Sequence, residues 1–536
     1  MKKVLFVTES SHLTSGYGVY AKNVLSRLHR NYGDVCEVAE LACYLNPLQP
    51  EGMSNPWRTY PNMPHPHNQA EIKAYSENPH NEFGSWKFQP VCLDFKQSAT
   101  ILFRDFWYDE FTLLSHYRRF YNLYWMTTVD ATPQMTKWLD GLRYLDGCLT
   151  YTEWGQEYLR EVTRNKVNLV GTAPPGGNYV DFQPLQKTDV KRSFGIPDDS
   201  LIVGFVGRNQ VRKRFPELMN AFVKLLQQAP KIIKDKLFLY LHTDWPGLGW
   251  DIPTLLKQFG LSNKVYFTYS CQHCKHVFPS LFRESKGICD RCGQQTASII
   301  RSGDGCPDNQ FNLIYNCMDV YVQYANAEGF GMPQVDAAAA GLPILTVDYA
   351  GMKDTINLIG ATGIKVSELS MVVEDGRMFA VPDEDDLIKK LLDLLLLPSC
   401  YRARIGFQHR QNAMKAFSWD KTAAKWADLI ASSATKVAWD APASYIRPTF
   451  NPEYASRLND ANFVDYAHRT IFCGKGPPQL YLKHKIMKDL SLGQITPETL
   501  MRQNIPCVRD NVVNELMQWV SDYNNQESLR CRSVVK

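Results

Sequence analysis

No stretch of this sequence approaches the roughly 20 apolar residues needed to cross a bilayer as a helix, so no membrane span is expected. It also lacks a dominant charge. Lys and Arg number 59 against 55 Asp and Glu, a formal net charge of +4, too small to argue for a general nucleic-acid or membrane surface. A local basic patch stays open. The N-terminal "MKKVLFVTES" has an apolar run of only Val4 to Val7; that is too short for a signal-peptide core and suits a buried first strand. Cysteine is present but not dense. Fourteen are spread over 536 residues, four of them in paired metal-like spacing, which favours a reducing cytoplasm over a secreted disulfide scaffold. No internal repeat is apparent. What remains is an ordinary globular composition, in a chain long enough for more than one domain at roughly 100–200 residues each.

Short apolar runs alternate with helical patterns twice over, which predicts two parallel-sheet α/β units. In the first, "KVLFVTE" is a strand and "SSHLTSGYGVYAKNVLSRLH" a glycine loop opening a helix, with further strands in "ATILFRDF", "NLYWMTTVD" and "LDGCLTYT". Residues about 45–95, rich in Pro, Asn and His, are expected to form an irregular insertion. The Pro/Gly cluster "APPGGNYVDFQPL" marks the crossing to a second unit that begins at "LIVGFVGR". There Phe215, Leu218, Met219, Phe222, Leu225 and Leu226 share one helical face. The expected divisions are 1–180, 181–435 and an extension, 436–536, to which no chemistry is assigned.

Three motifs carry chemistry. "SGYG", with Gly16 and Gly18, follows a strand and opens a helix, leaving N–H groups open to an anion; an ordinary turn explains it equally well. In "FVGRNQVRKRFPEL", Arg208 and Lys213 stand five apart around a bend and can converge on a diphosphate, the arginine as a fork and the lysine as a point charge. Arg212 and Arg214 are read as solvated neighbours, and plain surface charge is the competing reading of the whole loop. In "NAEGFGMPQVDAAAAGLP", Gly329 and Gly331 precede a short helix in which Pro333 suits the first position and Gly341 terminates. That is an anion seat at a helix start, with the carboxylate of Glu328 beside it. A phosphate site next to a hydroxyl-binding acid suits a sugar attached to a phosphate.

Together "VGRNQVRKRFPELMNAF" and "NAEGFGMPQVDAAAAGLPILTVDYAGM" resemble the retaining glycosyltransferases of family 4, which have the GT-B fold. The likeness extends to the N-terminal glycine loop, "LDGLRYLDGCLTYTEWGQEYLRE", "PPGGNYVDFQPL" and "FSWDKTAAKWADL". It implies two Rossmann-like domains facing a cleft: an acceptor-side N-terminal domain and a C-terminal domain that holds a nucleotide diphosphate sugar. Arg208 and Lys213 would neutralise the donor diphosphate, Glu328 would bind donor-sugar hydroxyls beside Gly329, Phe330 and Gly331, and Asp336 would meet the nucleotide ribose. Two departures stand out. Asp336 replaces the usual glutamate, and Asp130 in "TTVDATP" stands where many relatives carry histidine, as either a substrate contact or a structural acid closing the strand. The resemblance implies same-face displacement assisted by the donor phosphate, with no enzymic base and no catalytic metal.

One segment lies outside the resemblance. "CQHCKHVFPSLFRESKGICDRCGQ" contains Cys271, Cys274, Cys289 and Cys292, two C-x-x-C pairs fourteen residues apart. Two such knuckles predict a tetrahedral S4 site for structural Zn2+, with no open position for catalysis. The ribbon, about 270–305, is either a metal-stapled loop or a platform for a macromolecular acceptor; Lys275, Arg283, Lys286, Arg291 and Arg301 surround it. The expected function is transfer of a sugar to a glycan or small hydroxyl compound. Alternatives are glycosylation of a hydroxymethylated base in DNA, or a non-catalytic GT-B scaffold binding protein or nucleic acid through the ribbon. A glycan phosphorylase would require a pyridoxal phosphate lysine site, and none is discernible.

Overall fold

A computed structural model describes residues 1–49, 54–115, 117–247, 249–283, 286–301 and 305–439. Of the extension expected at 436–536, residues 440–536 lie outside the described residues.

The Val4–Val7 run is wholly buried because it forms an inner strand, and a strand covered by helices on both faces reads as a continuous apolar run. The first sheet comprises β1 (Lys2–Glu9), β2 (Cys36–Cys43), β3 (Arg58–Pro61), β4 (Ala99–Leu102), β5 (Asn122–Thr127), β6 (Gly147–Thr150) and β7 (Leu169–Thr172). Their order is β3-β2-β1-β4-β5-β6-β7, and every pairing is parallel. The 45–95 stretch, expected to be irregular, supplies the edge strand β3 and the helices Gln69–Ser76 and Ser85–Phe95. Its Pro and Asn content marks helix starts and turns rather than structureless chain; Asn68, for example, caps the first of these helices.

The second sheet contains β8 (Leu201–Val206), β9 (Leu237–His242), β10 (Val265–Cys271), β11 (Val277–Leu281), β12 (Ala297–Ile299), β13 (Val320–Gln323), β14 (Ile344–Val347) and β15 (Thr362–Ile364). Their order is β11-β10-β9-β8-β13-β14-β15, with β12 also paired to β10. Strands β11 and β12 run antiparallel to β10, so the cysteine segment grows from one edge of the sheet. A hairpin, β16 (Val366–Met371) and β17 (Met378–Pro382), completes the strands. Phe215, Leu218, Met219, Phe222 and Leu225 face the core from helix Phe215–Gln228.

In both sheets strand order reverses beside the first strand: β1 lies between β2 and β4, and β8 between β9 and β13. Connections leave in opposite directions there, opening a crevice at the carboxyl ends of the strands where α/β sheets bind ligands. The chain's last described helix, Trp419–Ser432, lies in the segment assigned from sequence to the second unit, yet it packs on helix Gly16–Asn31 of the first. Trp426 is fully buried and donates from Nε1 to the Tyr20 hydroxyl at 2.8 Å. Lys2 closes the helix end by donating to the carbonyls of Ile430 and Ala431 at 2.9 and 3.0 Å.

Helix Ser399–Ala416 crosses the turn at Gly341 so closely that a Cβ built on Gly406 would overlap the Gly341 carbonyl. Backbone cannot yield as a side chain can. Gly406→Ala should therefore lower unfolding free energy by about 1–3 kcal/mol, measured by urea denaturation; an unchanged midpoint would show that the two segments are not in tight contact.

Candidate functional site

Four loops at the carboxyl ends of β1, β5, β8 and β13 carry the residues singled out in the sequence. After β8, Asn209 anchors the chain by accepting from Trp250 N and donating to its carbonyl, both at 2.8 Å. Residues Val211–Lys213 then make one tight turn that ends at Arg214 in the left-handed region, φ 53. This turn directs Lys213 inward, leaving it 5% exposed, while Arg208 stays on the surface.

Lys213 meets Glu328, itself 6% exposed, in a direct ion pair. Arg212 completes the arrangement. Its guanidinium lies 2.8 Å from Glu328 Oε2 and donates to the Ala327 carbonyl at 2.8 Å. The reading of Arg212 as a solvated neighbour is thus corrected: the turn that buries Lys213 also folds Arg212 back over the same carboxylate. Arg214 is likewise engaged, with Glu217 at 2.8 Å. Gln323 donates to Glu328 Oε1 at 2.8 Å. Burial alone would raise the Glu328 carboxyl, but the opposing charges of Arg212 and Lys213 outweigh it and hold the group well below the usual carboxylate range. Burial pulls Lys213 down against the pull of Glu328; two cations around one carboxylate keep the cluster ionised with one positive charge in excess.

The helix after Glu328 runs Met332–Ala339, starting from Gly331 at φ 85 with no side-chain cap. Pro333 has no N–H and Gln334 N donates to the Gly331 carbonyl at 3.1 Å, so the Met332 N–H is what this first turn offers to an anion. Gly329 and Phe330 lead into it. A second glycine stretch holds this segment from behind: Gly351 N donates to the Glu328 carbonyl at 3.1 Å, and a Cβ on Gly351 would overlap Gly329. Asp336 lies one turn into the helix, where burial first and the charge of Asp308 second raise its carboxyl to about 7. Tyr321 feels both Glu328 and Asp336, so the two acids flank one tyrosine.

The first sheet meets this assembly directly. Ser15 accepts from Gly18 N at 3.1 Å, capping the glycine-loop helix. A Cβ on Gly16 would sit 3.8 Å from Met332 Sδ, while one on Gly18 would lie 2.5 Å from the Leu13 carbonyl. Gly16 therefore faces the opposite helix start, and Gly18 is required by its own turn. Tyr17 and Thr128 share a hydrogen bond at 3.0 Å, and a Cβ on Gly329 would lie 2.5 Å from Thr128 Cγ2. Asp130 pairs with Arg377, the residue just before β17, at 2.6 Å, and Thr132 accepts from Met378 N at 2.8 Å. Asp130 thus ties the β5 loop to the hairpin. Sequence reasoning passed over Tyr17, Arg212, Gln323, Gly351 and Asp105, whose carboxyl lies near enough to the Thr128 and Tyr17 hydroxyls to be lowered by them. Only the adjacency of Arg212 to Lys213 offered a signal.

Cys271, Cys274, Cys289 and Cys292 offer four sulfurs that all lie within 4.8 Å of one another. Cys271 and Cys292 are 3.6 Å apart, as are Cys274 and Cys289. A tetrahedral ion with Zn–S near 2.3 Å requires sulfurs about 3.8 Å apart, so the donor set fits. His276 is occupied by Asp290 at 3.3 Å. Among the described residues no helix is long and apolar enough to cross a membrane.

Removing Lys213 leaves a buried carboxylate with one cation fewer. Lys213→Met should cost about 3 kcal/mol, and adding Glu328→Gln should recover part of it, both read by chemical denaturation. Additive losses in the double variant would deny the coupling.

Residues 304–411 match the family described as glycosyl transferases group 1. The chain is 24% identical over 253 residues to a D-inositol 3-phosphate glycosyltransferase of Thermobifida fusca, covering 47% of each chain. It is 26% identical over 284 residues to one of Stackebrandtia nassauensis, covering 52% of each; the match spans about half the length of these curated relatives. Among solved structures, sucrose-phosphate synthase of Thermosynechococcus elongatus aligns with TM-score 0.57 at 16% identity, over 80% of this chain and 98% of that one. Anabaena HepE, in complex with UDP and glucose, aligns with TM-score 0.53 at 13% identity, over 81% of this chain and 100% of the other. The architecture is GT-B: two Rossmann-like α/β domains, with a four-cysteine insertion in the second.

Proposed function

We propose that this chain is a retaining glycosyltransferase that moves a sugar from a nucleotide diphosphate sugar to a hydroxyl acceptor, by default a glycan or small hydroxyl compound. The observation that carries the reading is the meeting of Lys213 and Arg212 on Glu328 beside the uncapped start of helix Met332–Ala339. A pyrophosphate seated at that helix start would receive the Met332 N–H and the excess positive charge of the cluster, while Glu328 accepts from hydroxyls of the attached sugar. As the bond from the anomeric carbon to the phosphate oxygen breaks, charge gathers on the diphosphate. Preorganised cations there lower the barrier by stabilising it. Arg208, exposed near Lys213, is placed to swing onto the diphosphate, and Asp336 to meet the ribose. The likeness to D-inositol 3-phosphate glycosyltransferases over about half their length, and to a UDP-bound neighbour, supports this reading. A scaffold kept only for binding has no use for three charges clustered beside an anion seat.

The four thiolates are assigned a structural Zn2+, consistent with a reducing, cytoplasmic setting. They would hold it with every position filled, so its contribution is to fold the ribbon.

A screen of donor hydrolysis across UDP-, GDP- and ADP-sugars should reveal one preferred donor. Against it, Lys213→Ala and Arg212→Ala should each lower turnover by about 100- to 1,000-fold while the protein stays folded; wild-type rates in either variant would remove that cation from the mechanism. Elemental analysis should return about one zinc per chain, and a folded metal-free protein would refute the assignment.

A further inference from the structure

The first sheet brings an acid to the cleft that the donor site does not use. Asp105 follows β4, on one side of the strand reversal beside β1, and so stands at the same crevice as the glycine loop and the β5 loop. The neighbouring hydroxyls of Thr128 and Tyr17 act on its carboxyl and lower it, and those two hydroxyls are themselves hydrogen-bonded at 3.0 Å. Thr128 in turn abuts Gly329, the residue next to Glu328. One threonine therefore separates Asp105 from the segment proposed to hold the donor sugar.

The charges around it have a sign. Those acting on Tyr17 come from Asp105, Glu9 and Asp130, all negative. Among the described residues two cations reach across, Arg377 from the hairpin and Arg212 from the loop after β8, and both are engaged by carboxylates: Arg377 by Asp130 and Asp375 at 2.6 and 2.7 Å, and Arg212 by Glu328. With those two cations already paired, a phosphate on the acceptor is disfavoured at this face. Hydroxyl donors suit it.

Building on the proposed transfer reaction, we infer that Asp105 is an acceptor-binding residue: its carboxylate accepts from the hydroxyl next to the attacking one and so aims the attacking oxygen at the donor sugar, and the acceptor is an uncharged polyol rather than a phosphorylated one. The acceptor oxygen forms its bond to the anomeric carbon as the bond from that carbon to the phosphate oxygen breaks. The electron pair leaves with the nucleoside diphosphate, and the hydroxyl proton goes to the departing phosphate oxygen. Asp105 orients the acceptor through the neighbouring hydroxyl and ends the reaction unprotonated. Burial first, then the charge of Asp130, raises its carboxyl to about 7, against Thr128, Tyr17 and Arg377, which lower it. The group is neutral below that pH and able to accept above it, so transfer should rise with pH through the neutral range.

The test uses the full chain and the donor found by hydrolysis, with myo-inositol and methyl α-glucoside against inositol 3-phosphate and glucose 6-phosphate as acceptors. Wild type should transfer to an uncharged polyol in preference to its phosphorylated counterpart. Asp105→Asn should lower that transfer about 100-fold and flatten its pH profile, with thermal midpoint and stabilisation by UDP retained; Asp105→Glu should restore part of the rate. Preference for the phosphorylated acceptors, transfer to neither uncharged probe by a hydrolysing enzyme, or wild-type transfer in Asp105→Asn would overturn the inference while leaving the donor reading intact. Loss of UDP stabilisation in Asp105→Asn would place the residue in the donor site or the fold and overturn it too. A wild type that cleaves no donor would remove the transfer reading, and this inference with it.

Discussion

A buried carboxylate bound by two cations from a different loop is the constraint around which this molecule is arranged. Glu328 is almost wholly removed from water, where an isolated charge would be prohibitively costly. It remains ionised because Lys213 and Arg212 arrive from the far side of the strand reversal. Those cations are placed by a single tight turn after β8, and that turn is anchored through Asn209 to the loop after β9. The site is therefore the product of three connections of one sheet, none of which holds the geometry alone.

The two sheets share a device. Each reverses strand order beside its first strand, and each places its glycine-bearing or charged loops at the carboxyl ends around that reversal. Facing crevices follow, joined by close approach at Gly16 with Met332 and at Thr128 with Gly329. Gly16 and Gly329 lack side chains at these two points, which allows the backbone there to approach the opposite half. The return of helix Trp419–Ser432 to the first half, the Trp426–Tyr20 hydrogen bond and the Asp130–Arg377 pair add further ties between them. These ties leave the crevice itself lined by polar groups, positive around Glu328 and negative around Tyr17. That division of charge is what distinguishes a donor side from an acceptor side in the proposed reaction.

The cysteine ribbon is a separate solution to a local problem. It extends from β10 through two antiparallel partners, β11 and β12, whose Val277, Phe278, Ala297 and Ile299 are buried. Beyond them the four sulfurs are gathered at metal spacing.

Much of this was determined by the sequence alone. Alternating apolar runs and helical faces specify two parallel-sheet units, since a strand buried on both sides must be apolar throughout and its crossover helix must be apolar on one side. The cysteine pairs specify their own cluster, because two short knuckles can only meet around a common centre. Glu328, Gly329 and Gly331 were legible because a helix start needs glycine and an uncapped first turn within a few residues. What the tertiary structure decided was every relation between distant segments. Whether Arg212 or Arg208 turns inward depends on one left-handed residue, Arg214, and on which loops lie opposite. Asp130 takes Arg377 as partner only because the hairpin folds over the β5 loop. Asp105 has no motif around it, and its importance arises from strand order, which sets β4 beside β1. Spacing along a chain records local geometry; the sign and company of a charge are set by whatever the fold brings against it.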